Sequence, residues 1–150
     1  LEELIKYINK TNKGNKKQIS LIAELKDKGI EKDIIGLIER HKVLEKVIII
    51  SFYHNSVKKI KEINKNIKTG ILFARNPIYR FLLPKNADAD FLFPNFNYVD
   101  ENLVKNAHKN NHKVFVWNVD NIGDLKKMLK LKVDGIGSNK PDVIVNYLKR

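Results

Sequence analysis

Glu24 and Lys26 stand two residues apart in the run Ser-Leu-Ile-Ala-Glu-Leu-Lys, 20–26. On an extended strand that spacing puts a carboxylate and an ammonium on one face. Opposite charges on a buried face are costly unless they pair or are used. A hard divalent cation and a phosphate would use both, with the carboxylate on the metal and the ammonium on the phosphate oxygens. A structural ion pair at a strand end is the other reading. Phe52 follows the apolar run 46–51, Trp117 and Asn118 lie toward the end of the run 113–119, and Ser138 and Asn139 end the run 133–138. Trp117 with Phe52 would wall a pocket for a small organic group beside a phosphate, whereas core packing is the plainer reading of each ring alone. The four histidines carry less. His108 and His112 are four apart on a helical pattern, but no Glu follows the first and lysines adjoin both. They read as surface residues rather than as a metal pair.

Short β-rich runs must position these groups, and they alternate with helical patterns. Strands are expected at 20–26, 46–51, 69–74, 90–94, 113–119 and 133–138. Helices are expected at 1–10, 31–44, 55–66, 100–111, 121–131 and 141–150. The run Val-Ile-Ile-Ile is continuously β-branched, the mark of a strand buried on both faces. Asp100 is placed to cap the helix that follows it, and Pro141 sits in a first turn. Residues 75–88 contain Pro77 and Pro84 and read as an irregular loop with at most a short turn. The strict alternation predicts an α/β fold with a parallel sheet and right-handed crossovers. Both an open doubly wound sheet and a (β/α)8 barrel satisfy it. Neither G-x-G-x-x-G nor a P-loop motif occurs, which weakens dinucleotide and P-loop readings.

The composition bounds the rest. The 150 residues suffice for one domain with a core. There is no cysteine, so no disulfide framework, thiol nucleophile or Cys-based zinc site. No run reaches the ~18 apolar residues of a membrane span, and the chain opens on Leu1 rather than Met. The compartment stays open, with the cytoplasm slightly favoured. A net charge of +12 raises the question of a nucleic-acid partner. Only four of the basic residues are Arg and the lysines form no block, so the charge is read as a solvated surface and no nucleic-acid partner is expected.

The strand ends taken together resemble a known family. Glu24-Leu25-Lys26, Ser51-Phe52, Trp117-Asn118-Val119-Asp120, and Val133-Asp134-Gly135-Ile136-Gly137-Ser138-Asn139-Lys140-Pro141 follow one another at the spacing of the glycerophosphodiester phosphodiesterases. The patterns there are E-[IL]-K, S-F, V-x-x-W-T-[VI]-N and V-D-G-I-x-[TS]-[DN]-x-P. Leu1-Glu2-Glu3-Leu4 resembles the end of the segment that precedes the E-x-K strand. The resemblance covers the whole chain. It implies a (β/α)8 TIM-barrel fold, here in about six βα units with N-terminal strands missing. It implies metal-dependent hydrolysis of glycerophosphodiesters to sn-glycerol 3-phosphate and an alcohol, with Ca²⁺ or Mg²⁺ as cofactor. Glu24 is then a metal ligand, Lys26 a catalytic cation at the phosphate, and Phe52 and Trp117 bind the glycerol side of the substrate.

The departures carry their own expectation. The family's H-R-G strand, its H-D motif and its E-x-D strand are not found. Asp120 stands where the pattern has Asn, and Ser138-Asn139 where it has Thr-Asp. The chain is therefore expected to be a truncated, C-terminal portion of an enzyme, lacking the catalytic histidine motifs and inactive alone. An unclosed barrel would leave sheet edges exposed, so an N-terminal half or a second copy is expected as partner. A degenerate, non-catalytic phosphoester-binding or interaction module is the alternative.

Overall fold

A computed structural model describes residues 1–16, 18–75 and 82–149. Helix α1 spans Glu2–Asn12 and buries Ile5 and Ile8. The side chain of its last residue, Asn12, donates to the Ile19 carbonyl and accepts from the Ile19 N–H, each at 2.8 Å. That pair fixes how the chain turns into the sheet.

Six strands follow, each parallel to the next: β1 Leu21–Glu24, β2 Val47–Ser51, β3 Lys68–Phe73, β4 Phe91–Pro94, β5 Lys113–Val116 and β6 Gly135–Ile136. Their order in the sheet is their order in the chain, β1 at one edge and β6 at the other. Helices α2 Glu31–Arg40, α3 His54–Ile63, α4 Leu83–Asn86, α5 Glu101–Lys109, α6 Ile122–Leu131 and α7 Pro141–Leu148 make the crossovers and the C-terminal cover. The strands curl into a half-barrel of the (β/α) type, the architecture that the family resemblance implies; the alternation predicts the parallel sheet and leaves an open sheet equally allowed.

The central strands behave as their composition requires. In β2 every residue but Ile48 is buried, because helices cover one face and the curled sheet the other. The helix-side core runs in two parts. One gathers Ile35, Ile38, Val47, Ile49, Ile60 and Ile67, and the other gathers Leu92, Leu103, Val114, Val116 and Leu125. Aromatic rings cover the inner face, with Phe93 and Phe115 stacked at 5.4 Å. A Cβ on Gly135 would stand 2.0 Å from the Phe115 ring, and one on Gly70 2.6 Å from the Phe93 ring. These glycines let the rings lie flat on the sheet.

The ends of elements differ from expectation. Strand β1 stops at Glu24 rather than at residue 26, and β6 has two residues rather than six. Helix α2 ends at Arg40 rather than at residue 44; residues Leu44–Lys46 form a separate 3₁₀ turn. The segment read as loop contains α4, which has Pro84 in its first turn. The expected Asp100 cap is present, its carboxylate accepting from the Leu103 N–H at 2.8 Å. Pro77 and Arg80 lie outside the described residues.

Candidate functional site

The C-terminal ends of β1, β2 and β5 bring Glu24, Phe52 and Trp117 to the wall of one cavity of about 650 Å³. Its floor is the inner face of the sheet. Phe52 meets Trp117 edge to face, with centroids 5.9 Å apart at 88°. The indole is held in place by its own N–H, which donates to the Phe93 carbonyl at 2.8 Å. Phe52 is 48 % exposed, so it is a rim residue and not a core one. Ser51 steadies the rim from below. Its hydroxyl donates to the Leu25 carbonyl at 2.7 Å and accepts from the Tyr53 N–H at 2.9 Å, tying the end of β2 to the end of β1.

Lys26 lies just beyond β1. Its Nζ stands 3.7 Å from a Glu24 carboxylate oxygen, and its side chain is 76 % exposed. Lys26 does not line the cavity but flanks it. The next cation, Lys28, sits over the Tyr53 ring at 4.7 Å. Glu31 anchors this loop from behind. It is only 2 % exposed and pairs with Lys59 at 3.1 Å. Burial pushes its carboxyl up. Hydrogen bonds from its own N–H, Ser56, Lys59 and the Gly29 N–H overcome that and hold it at about 2.

Across the mouth, Asp120 joins the loops after β5 and β6. One carboxylate oxygen accepts from the Ser138 hydroxyl at 2.9 Å and the Asn139 N–H at 2.7 Å; the other accepts from the Asn139 amide at 2.9 Å. Bonds from Asn139, with a smaller one from Ser138, hold the Asp120 carboxyl below the usual range. Sequence reasoning recorded Asp120, Ser138 and Asn139 as separate strand-end residues and missed the clamp. It missed Glu31 as well, although Glu31-Lys32-Asp33 spells E-x-D; the letters open α2 rather than lie on a strand. Asn118, noted beside Trp117, lines the cavity too. The histidines stay away from it. A ring nitrogen of His54 lies 2.9 Å from the Leu72 carbonyl, and one of His108 lies 2.8 Å from Asp134.

The donors do not fit a divalent cation held by this chain's acidic side chains alone. Among the described residues no group of three His, Cys, Asp or Glu side chains could hold one. Among the described residues Glu24 is the one carboxylate lining the cavity, and the Lys26 ammonium stands 3.7 Å from it. Calcium takes 6–8 oxygen ligands, which one carboxylate is far from supplying.

Comparison with known proteins bears on the same strand ends. The model of the glycerophosphoryl diester phosphodiesterase family matches residues 2–143. A glycerophosphodiester phosphodiesterase of Caldanaerobacter subterraneus is 31% identical over 122 residues, covering 81% of this chain and 50% of that protein. The structure of a Galdieria sulphuraria protein assigned to the glycerophosphodiester phosphodiesterases superposes with a TM-score of 0.88 at 28% identity, over 99% of this chain and 63% of that one. An Oleispira antarctica phosphodiesterase, solved with its product sn-glycerol 3-phosphate, has the same fold at a TM-score of 0.85 and 18% identity, over 100% of this chain and 61% of that one. The chain thus spans about half the length of the curated relative it matches. The expectation of a truncated chain without the catalytic motifs is corrected by the reach of these matches, residues 2–143 for the family and 99% of the chain for the Galdieria structure. That expectation rested on a few absent motifs, whereas the family match runs over residues 2–143.

Proposed function

The chain belongs to the glycerophosphoryl diester phosphodiesterase family, and from that premise we propose that its cavity mouth serves the hydrolysis of glycerophosphodiesters to sn-glycerol 3-phosphate and an alcohol. The observation that carries this reading is the convergence of Glu24, Phe52 and Trp117, from three different strands, on one cavity with Lys26 beside it. In the reaction the oxygen of water bonds to phosphorus, the bond from phosphorus to the alcohol oxygen breaks, and the alcohol takes up a proton. A cation facing the phosphate favours the transition state over the bound diester, because negative charge gathers on the phosphoryl oxygens there. Lys26 is assigned that role. Its exposure leaves the ammonium free to swing from Glu24 to a phosphate. Phe52 and Trp117 give the carbon side of the glycerol an apolar wall, and the bond from Trp117 to Phe93 keeps that wall rigid. Glu24 is the residue that would offer a carboxylate to Ca²⁺ or Mg²⁺, with most of the coordination shell coming from elsewhere.

A second reading, a non-catalytic phosphoester-binding module, is favoured by the single carboxylate at the site among the described residues. The two separate in one experiment: incubation of the purified chain with glycerophosphocholine and Ca²⁺ or Mg²⁺, following release of glycerol 3-phosphate. The hydrolase reading expects release that falls strongly in Glu24→Gln and about a hundredfold in Lys26→Met. Binding without release selects the module, and unaltered turnover in both variants removes these residues from the site.

A further inference from the structure

Phe52 lines the cavity and its neighbour Ser51 does not. Ser51 closes β2 and is only 1 % exposed. Its hydroxyl both donates and accepts. The proton goes to the Leu25 carbonyl at 2.7 Å, and the oxygen accepts the Tyr53 N–H at 2.9 Å. The second bond runs from a side chain to the backbone two residues on, which closes a turn with Phe52 at its centre. The first bond reaches the residue between Glu24 and Lys26. Leu25 is held twice, since its N–H also donates to the Ile50 carbonyl at 2.8 Å. Its N–H and its carbonyl belong to the two peptide planes on either side of it, and each plane is rigid. Fixing both planes sets the Cα atoms of Glu24 and Lys26. The ladder between β1 and β2 ends at the pair of Glu24 with Ile50. Past that point a side-chain hydroxyl continues the joint between the two chain segments.

We propose that Ser51 is a positioning residue for the phosphodiester chemistry: one buried hydroxyl holds Glu24 and Lys26 in register with Phe52, so that the charged groups and the apolar rim meet the same substrate. This rests on the diester reading above and adds to it the residue that aligns its parts. Ser51 touches no substrate and acts through Leu25 and Tyr53. Removing the hydroxyl strips the Leu25 carbonyl and the Tyr53 N–H of a partner. Strand β1 is an edge strand, with a neighbour on one side alone, so no second ladder holds its end in place. A displacement of about 1 Å in a reacting group can lower a rate about a hundredfold.

The test compares the wild type, Ser51→Ala and Ser51→Thr on glycerophosphocholine with Ca²⁺ or Mg²⁺, at a temperature where all are folded. It then repeats Ser51→Ala in the Lys26→Met background. Ser51→Ala should lower kcat/KM about tenfold to a hundredfold, with kcat carrying most of the loss. Ser51→Thr keeps the hydroxyl and should recover most of it. With the ammonium already gone, Ser51→Ala should cost about threefold or less, because the group it positions is absent. Trp117 is the one tryptophan of the chain and meets the Phe52 ring. Its emission, with no substrate present, should therefore shift in Ser51→Ala and return in Ser51→Thr. Where Ser51→Ala does not fold, Ser51→Cys takes its place, since it keeps the shape with a far weaker donor. A residue that serves stability alone would lower the thermal midpoint and leave kcat unchanged. That result, or the same loss of rate in both backgrounds, would overturn the proposal and leave the diester reading standing. A wild type that releases no glycerol 3-phosphate would end the diester reading and this role with it.

Discussion

Asp120 and Asn139 exchange places relative to the pattern that the strand ends otherwise follow: the carboxylate is on the first strand end and the amide on the second. The hydrogen bonds between them pair the donors of Asn139 with the acceptors of Asp120. Asp120→Asn should therefore loosen the loop after β6, lowering the thermal midpoint and shifting the Asn139 amide resonances. Asp120→Asn combined with Asn139→Asp should recover much of both; a double variant no better than the worse single one would refute the pairing. The sign with pH follows from the depressed Asp120 carboxyl: its stabilising effect is present above the ordinary carboxylate range and fades as pH falls below it. That Glu24, Phe52 and Trp117 stand at strand ends was legible, and the structure brings the three to one cavity. The clamp was not, because Asp120 and Asn139 are distant in sequence and meet only when β5 and β6 lie side by side.

Among the elements, the β1–α2 connection depends most on a single side chain. Glu31 opens α2, is buried, and gathers donors from its own turn, from Gly29 and from α3. A carboxyl held at about 2 against an ordinary 4.5 contributes stability above pH 4.5 that is lost as pH falls toward 2, on the order of a few kcal/mol. Urea unfolding of the wild type and Glu31→Gln should differ most above pH 5 and converge toward pH 2; a constant gap would mean that Glu31 acts through packing and not through its charge. A second buried charge is met at the opposite end of the sheet, where Lys61, 7 % exposed, pairs with Asp90 at 2.8 Å. Element type and order were readable except at α4, since 3.6- and 2-residue periods differ plainly. Element ends were not. An apolar run records burial, whereas a strand lasts only as long as its ladder, and β1 and β6 have a neighbour on one side alone. Helix α4 was readable in principle from Pro84 in its first turn.

At the scale of the whole molecule, the basic charge is spread over helices, strand ends and loops rather than gathered in one element. Local pairs such as Lys6 with Glu2 at 3.0 Å and Lys105 with Glu101 at 2.7 Å use part of it, and exposed pairs of this kind add little each. Among the described residues no helix is long and apolar enough to cross a membrane. The parallel sheet was legible because alternation with short connections admits few topologies, and its curling into a half-barrel was legible only from the family resemblance. The cavity was not, because its floor is assembled from alternate residues of all the strands, each read singly as core. The strand order has a consequence for how the molecule assembles itself. Every strand bonds only to its predecessor and successor in the chain, so no ladder has to wait for distant segments to find each other. Each ladder closes over a single βα unit, as from Leu21 to Val47, and this nearest-neighbour order favours independent opening of neighbouring units, as in a linear array. Native-state hydrogen exchange should find that β6 and α7 open without releasing the amides of β2 and β3. A single exchange rate for all of them would mean that the half-barrel unzips only as a whole.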